Sequence, residues 1–490
     1  MKKKSLKINM ILNILKQCCN IIIPLIIYPY VSRVLGASNY GKYSFADSVI
    51  NVFMTIACLG VPTYAVREGA RLRDNKKAIE KFTAEVYSIN ILSLIFTMIV
   101  LIAVVENNFR LHKDALVIYL LSFNIITSIL GRDWLNNIFE NFAYITVRYI
   151  FFQLVAVCLI FFCIKNSDDY IEYTCITLVA NSGGYILNFF YTQKFVHLQI
   201  TTKLNLKKHM PSILFLWGVS LAIQIYIMSD VIILGFFQSD AQVGIYSLSS
   251  KVYTIVKALL NAIIIVTIPR ISSYIDDPYS NDCQNIIKKL RSALYILVLP
   301  SVVGLFMESK NIILLIGGEE YVTGAMVIRI LCIALVFAVF GCFYAQAILV
   351  PTRNDKSFFV ATVISASVNI LLNFLIIPRM GICGAAITTV IAEGCVMLIC
   401  MFASKRIYYI KKDNEVWGII LGCAGIVVMC ILTELLNFNY LIKLLLSIVL
   451  SSIIYVFIIT VCKNAEILKM WNIIFEQLKR VKKIRNRRKD

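Results

Sequence analysis

The side chains with chemistry to do in this sequence are polar groups set inside long apolar runs. Ser250, Thr254, Lys257 and Asn261 recur at i, i+4, i+7 and i+11, which is one stripe on a helix, and Lys251 borders it. A charge at the centre of a bilayer costs at least about 2.5–3.5 kcal/mol and is usually turned toward a cavity. An earlier run carries Asn13, Lys16, Gln17 and Asn20 near its start, and the next carries Ser44, Asp47, Ser48 and Asn51. Three helices bearing these groups are expected to face a common wet cavity. The candidate substrate contacts are Lys16, Asp47, Asn51, Lys251, Thr254, Lys257 and Asn261. The competing reading is helix-to-helix hydrogen bonding with lysines that snorkel to the membrane surface.

A second group is rich in oxygen. Asp230 stands alone in its apolar run, Asn369 and Asn373 are one turn apart on another, and Thr389 and Glu393 are one turn apart on a third. Carboxylate, amide and hydroxyl oxygens suit a hard cation such as sodium, and a lone membrane carboxylate needs a partner. The alternative here is a structural polar network joining these helices. Glu393 is also a candidate for proton or ion coupling.

Other chemistries find no purchase. The stretch Gly36-Ala37-Ser38-Asn39-Tyr40-Gly41-Lys42-Tyr43 nearly matches a phosphate-binding loop, but Tyr43 replaces the Ser or Thr that would ligate magnesium and no strand precedes it. The histidines His112, His197 and His209 are expected in loops. The fifteen cysteines are scattered and all but Cys283 lie in apolar runs, as small buried residues rather than metal ligands or a disulfide framework. No segment between runs reaches the size of a catalytic domain, so a transporter is expected rather than an enzyme.

The elements that must position these residues follow from composition. The chain has 490 residues, 59% hydrophobic and 16% charged, with a mean hydropathy of +0.79. That composition makes lipid its main solvent, and only helices or closed barrels satisfy backbone groups there. The runs are long and continuous, which selects helices, so an all-α polytopic membrane protein is expected. Runs of about twenty apolar residues fall near 8–32, 44–66, 83–105, 115–137, 144–164, 171–193, 211–235 and 243–268, then 292–307, 323–349, 357–377, 382–403, 416–433 and 441–462. The net charge of +20 resides in short clusters between runs, such as Arg67 to Lys81, Lys203 to Lys208, Lys405 to Lys412 and the tail from Lys479 to Lys489. The alternate connections hold Asp168, Asp169, Asp240, Glu319, Glu320 and Glu434. This asymmetry predicts a cytoplasmic-membrane protein with both termini in the cytoplasm, and no nucleic-acid partner.

An internal repeat is also legible. Gly41-Lys42-Tyr43-Ser44 recurs as Gly244-Ile245-Tyr246-Ser247, and the same offset of 203 residues carries Arg67 onto Arg270. Six runs separate the copies, an even number, so the halves share one orientation and are related by an axis along the membrane normal. The expected division is a lobe over 1–209, a second lobe over 210–404, and two more helices with a basic tail over 405–490.

The residues Pro29-Tyr30-Val31-Ser32-Arg33-Val34-Leu35-Gly36, continuing through Tyr40-Gly41-Lys42-Tyr43-Ser44-Phe45-Ala46 to Gly60 and Arg67, resemble the polysaccharide repeat-unit flippases of Wzx type. These belong to the multidrug/oligosaccharidyl-lipid/polysaccharide exporter superfamily. Ser229 to Gly235, Val243 to Ser247 and Gly381 to Ala386 extend the likeness over nearly the whole chain. The resemblance implies two parallel six-helix lobes around a central cavity plus two C-terminal helices, about fourteen in all. It implies alternating-access transport of undecaprenyl-diphosphate-linked oligosaccharide from inner to outer leaflet, for a capsule or O-antigen type polymer, with a polysaccharide polymerase as a partner. By position, Lys251 resembles the eighth-helix cation of the related lipid II flippases, and Asp230, Asn369, Asn373, Ala385 (through its backbone) and Thr389 resemble their sodium ligands. Asn373 stands where an acid can stand in that relative, which weakens a sodium site and leaves sodium or a proton as coupling ion. Within the superfamily the alternatives are a lipid II flippase and a multidrug/cation antiporter. An antiporter would present acids and aromatics to a cationic substrate, and a transport assay of labelled lipid-linked sugar against a cationic dye separates the two.

Overall fold

The computed structural model describes residues 6–196, 200–274, 277, 279–405, 407–408 and 416–462. The basic tail from Lys479 to Lys489, Arg406, Lys411, Lys412 and His197 lie outside the described residues. Among those described, every regular element is helical: α1 (Leu6–Cys58), α2 (Val61–Leu72), α3 (Lys76–Asn107), α4 (Phe109–Lys113), α5 (Ala115–Gly131), α6 (Asp133–Ile138), α7 (Phe142–Cys163) and α8 (Tyr170–Thr192). They continue as α9 (Leu206–Phe237), α10 (Asp240–Ser272), α11 (Asn281–Met307), α12 (Ser309–Ile316), α13 (Gly324–Cys342), α14 (Asp355–Ser404), α15 (Val416–Glu434) and α16 (Tyr440–Val461). Eleven described helical spans are long and apolar enough to cross a membrane. The chain is a multi-pass, all-α membrane protein.

Two of the spans are far longer than a bilayer needs. α1 has 53 residues and α14 has 50, and each is interrupted by one glycine, Gly36 at φ 72° and Gly381 at φ 54°. A positive φ is costly for a residue with a Cβ, so glycine is the residue that lets the backbone break there. The new helix after Gly36 needs acceptors for its first N–H groups. Ala37 N donates to Glu320 Oε2 at 2.9 Å, so a remote carboxylate caps it and meets the positive end of its dipole. The segment around the near-phosphate-loop motif is therefore helix on both sides of Gly36, not a loop between helices.

The chain divides into two compact units, Met1–Leu248 with Ile316–Glu320 and Asn369–Ala385, and Ser249–Leu315 with Tyr321–Val368 and Ala386–Asp490. In the first, α1 packs against α9, α5, α7 and α3, and α5 packs along α8. One core of this unit gathers Val61, Tyr64, Ile79, Phe82, Trp134, Leu135, Ile138 and Ile213 from α2, α3, α6 and α9. The segment predicted over 115–137 is split at Arg132, which takes the left-handed conformation between α5 and α6 at φ 51°. Arg132 is fully buried. It donates to Leu130 O, Phe189 O and Thr192 Oγ1, the last at 2.8 Å, and lies over the rings of Tyr87 and Phe189. Those carbonyls end α5 and α8, so the guanidinium sits at the negative ends of two helix dipoles.

In the second unit α11 packs against α13 and α15, and α15 against α16. Ile296, Ile419, Ile426, Cys430, Tyr455 and Ile459 form a core there, and Tyr455 donates to Ile296 O at 2.6 Å. Glu308 at the end of α11 accepts from Ser447 Oγ at 2.6 Å and Asn311 Nδ2 at 2.8 Å, so a buried carboxylate ties α16 to α11. Beyond Cys342 the helix α13 widens into a π-helical turn over Phe343–Leu349. Such turns are uncommon and frequently lie at functional sites.

Candidate functional site

The α10 stripe has a partner on α14. Lys257 Nζ is 2.5 Å from Glu393 Oε1, and Tyr253 OH donates to the same oxygen at 3.1 Å. Glu393 is buried, with its side chain 8% exposed, whereas that of Lys257 is 29% exposed. Cys342, where α13 passes into its π turn, lies within electrostatic range of both. The remaining stripe residues line one helix: Thr254 Oγ1 donates to Ser250 O at 2.8 Å, Lys251 and Thr254 are exposed, and Asn261 is half-buried. The buried Oδ1 of Asn261 has no hydrogen-bond partner among the described residues. The pairing thus joins two residues assigned separate roles from sequence, Lys257 to substrate and Glu393 to coupling.

Lys16, Asp47 and Asn51 belong to the first unit. Lys16 Nζ lies 5.5 Å from the centre of the Tyr149 ring, a cation–π contact between α1 and α7. Asn51 Nδ2 donates to Asp47 O at 2.8 Å, one turn back on the same helix, and both residues are half-buried.

Of the oxygen-rich group, Asp230, Asn369 and Asn373 come together, joined by Ser229 and Tyr246, whereas Glu393 pairs with Lys257. Asp230 Oδ1 accepts from Asn373 Nδ2 at 2.7 Å, and Oδ2 accepts from Tyr246 OH at 2.6 Å. Ser229 Oγ donates to Asn369 Oδ1 at 2.8 Å, which also accepts from Asn373 Nδ2 at 3.2 Å. All five side chains are buried. Tyr246 and Ser229 were not singled out, although Tyr246 sits in the repeated Gly-x-Tyr-Ser motif and Ser229 adjoins Asp230. Ala385 is buried on α14 past the Gly381 break, and Thr389 is half-buried one turn further on, in the second unit. Among the described residues no three His, Cys, Asp or Glu side chains are grouped to hold a metal ion.

Two further polar groups lie in the first unit, one expected in a loop and one not anticipated from sequence. His209 is not in a loop: it lies in the first turn of α9, fully buried, between Tyr64 OH at 2.7 Å from Nδ1 and Glu85 Oε2 at 2.7 Å from Nε2. His112 likewise falls in a short helix, α4. The second group is Arg110, which bonds Asp114 at 2.6 Å, Asp240 at 2.5 Å and Gly235 O at 2.6 Å while covering the Phe45 ring. Burial pushes the Asp114 carboxyl up and the Arg110 guanidinium draws it back. The signal for Arg110 was the carboxylate of Asp114 one helical turn on, at i+4.

The chain has the fold of a polytopic helical membrane protein: the lipid II flippase MurJ, in an inward-closed conformation, superposes with a TM-score of 0.70 over 93% of this chain and 100% of that one, at 16% identity. The sequence names the family more closely. Residues 6–275 match the polysaccharide biosynthesis protein family, and the chain belongs to it. It is 23% identical over 429 residues to a putative O-antigen transporter of Escherichia coli (strain K12), covering 84% of this chain and 98% of that one. It is 32% identical over 178 residues to the probable flippase AglR of Haloferax volcanii, covering 36% and 37% of the two chains.

Proposed function

We propose that this protein is a flippase that carries undecaprenyl-diphosphate-linked oligosaccharide repeat units from the inner to the outer leaflet by alternating access, supplying a capsule or O-antigen type polysaccharide. The observation that carries the reading is the α10 stripe, two lysines with hydroxyl and amide groups inside a membrane span, in a chain of the polysaccharide biosynthesis family. Lysines neutralise a diphosphate, and hydroxyls and amides hydrogen-bond to its oxygens and to sugar. Lys251 and Lys257 are assigned to the diphosphate, and Thr254, Asn261, Lys16, Asp47 and Asn51 to the head group, while the prenyl tail stays in lipid.

The topology proposed with it has fourteen crossings and both termini in the cytoplasm of a multi-pass protein of the cytoplasmic membrane. A straight helix of 53 residues would run about 80 Å against a hydrocarbon core of about 30 Å. α1 and α14 therefore cross twice, with their breaks at the surface, and α8, with 23 residues, is long enough to cross as well. The chain halves 1–209 and 210–404 are read as two copies of one unit, and 405–490 as an addition.

The coupling ion is open between sodium at Asp230, Asn369, Asn373, Ala385 and Thr389 and a proton at Glu393. The test of the function is reconstitution: the purified chain in proteoliposomes should make an undecaprenyl-diphosphate oligosaccharide accessible from the opposite leaflet, and Lys251→Ala should slow this at least fivefold without lowering the amount incorporated. No flipping by wild type, or transport of a cationic dye instead, overturns the reading.

A further inference from the structure

The pairing of Lys257 with Glu393 sets a problem for a transporter of anions, because one of the two lysines assigned to the diphosphate is already held by a carboxylate. We propose that Glu393 is the counter-ion of the empty transporter: its carboxylate holds Lys257 when no substrate is present and yields it to the phosphate when substrate arrives. The inference rests on the flippase reading and adds a role that reading does not contain, the return of the unloaded protein.

Three features carry it. The pair is asymmetric in access, with the Lys257 side chain 29% exposed and that of Glu393 8%. An incoming anion can reach the ammonium while the carboxylate stays enclosed. The carboxylate also has a second donor on the same oxygen, Tyr253 OH at 3.1 Å, so it keeps a hydrogen bond after Lys257 swings away. Finally, Thr254, three residues before Lys257 on the same helix, is exposed, so the ammonium has a polar neighbour where it meets its new partner. The titratable groups facing Glu393 are Lys257 and Tyr253 from α10 and Cys342 from α13.

The physical reason for such a device lies in the two halves of a transport cycle. A lone ammonium in a low-dielectric site opposes any movement that closes the site around it, and a carboxylate at hydrogen-bonding distance removes that penalty. The loaded protein needs no internal anion, since the diphosphate supplies one. Substrate and carboxylate therefore compete for one cation. Removing the carboxylate's charge should favour binding and hinder the empty return, splitting affinity from turnover.

The full chain in nanodiscs, titrated with farnesyl diphosphate as a short-chain probe, tests the first half. Glu393→Gln is expected to bind the probe at least fivefold more tightly than wild type, Lys257→Gln at least fivefold more weakly, and Glu393→Asp to lie near wild type. In proteoliposomes carrying a lipid-linked oligosaccharide, Glu393→Gln should complete the first turnover at the wild-type rate and then slow several-fold. Equal affinity of Glu393→Gln and wild type, or a loss matching that of Lys257→Gln, overturns the proposal and makes the pair a structural tie. If Glu393→Gln fails to fold, the neutral pair Lys257→Gln/Glu393→Gln serves, with weaker probe binding and an unhindered return expected; wild-type binding in that variant overturns the proposal. Wild type that neither binds the probe nor flips the oligosaccharide would bring down the flippase reading itself, whereas wild type that does both while Glu393→Gln is unchanged removes only the counter-ion.

Discussion

At the scale of the residue, a membrane interior makes every polar group accountable, and the partners it chooses limit what it can do. Asp230 is the clearest case. Its two carboxylate oxygens accept from Tyr246 OH and Asn373 Nδ2, so the group that sequence spacing offered as a sodium ligand is also a hydrogen-bonded hub joining α9, α10 and α14. Removing one donor leaves a buried carboxylate oxygen undersatisfied at a cost of about 1–3 kcal/mol. Tyr246→Phe is thus expected to lower the thermal midpoint in detergent by several degrees, with Asp230→Asn smaller because the amide keeps the shape and one acceptor. If sodium binds here, raising sodium against potassium should stabilise wild type and not Asp230→Asn; equal midpoints in both salts would leave Asp230 as a structural group. Spacing revealed Asp230, Asn369 and Asn373 because each polar residue interrupts an apolar run. It did not reveal Tyr246 or His209, since a tyrosine in a membrane segment is unremarkable by type and a histidine just before Pro211 reads as the end of a loop. Only the fold brings Glu85, His209 and Tyr64 together from three helices.

Elements show why the repeat in the sequence exists. A Cβ built on Gly41 would lie 1.8 Å from Asp240 O, and one on Gly244 would lie 2.0 Å from Ala37 O. The offset that carries Gly41 onto Gly244 also carries Ala37 onto Asp240. The contact is thus reciprocal, each copy of the motif presenting the same groups to the other, as in an isologous interface. Glycine is required on both sides because the two backbones touch. Gly41→Ala and Gly244→Ala are each expected to force the helices apart and cost about 3 kcal/mol or more, at or above the usual range for overpacking, since the obstacle is backbone. A fluorescent fusion of either variant should give a diminished or aggregated size-exclusion peak, and a wild-type profile would refute the contact. The turn between α7 and α8 carries a pH dependence of its own. Asp169 Oδ2 accepts from the backbone N–H of Lys165 at 2.7 Å and of Asn166 at 2.8 Å, which holds its carboxyl below the usual aspartate range. A depressed value gives stability that is present above the unfolded value, about 3.9, and is lost as pH falls through the folded one. Wild type should therefore lose midpoint more steeply than Asp169→Ala below about pH 4, and parallel curves would show that the turn contributes nothing.

The whole molecule was largely legible as a membrane protein and less legible in its joints. Hydropathy found the apolar segments because burial in lipid is a composition effect, but it ended the first at Ser32, where the structure runs helix through to Gly36, and ran another unbroken over 115–137, where the structure turns sharply at Arg132. Charge asymmetry supplies the expected orientation, and labelling tests it. Cysteines introduced at Asp168 and Glu319 should react with an impermeant reagent in intact cells and one at Lys77 should not; all three residues are exposed, so equal labelling would overturn the orientation. From that orientation follows the energetics of transport. The diphosphate head group of the proposed substrate would carry negative charge outward from a compartment that is electrically negative inside, which releases about 2.3 kcal/mol per charge for each 100 mV. For a substrate that keeps even one uncompensated charge in transit, the potential alone then sets the direction, and on the proposed counter-ion role the pairing of Lys257 with Glu393 should make the returning protein less sensitive to the field than the loaded one. The measurement is the initial rate of oligosaccharide flipping in proteoliposomes under potassium diffusion potentials of either sign, with sodium and pH equal on both sides. A potential negative on the loading side is expected to raise the rate several-fold over the reverse potential, and Glu393→Gln, whose return would carry an unpaired lysine, should respond differently in its later turnovers from its first. A rate indifferent to potential, yet dependent on a sodium or proton gradient, would assign the driving force to the ion instead.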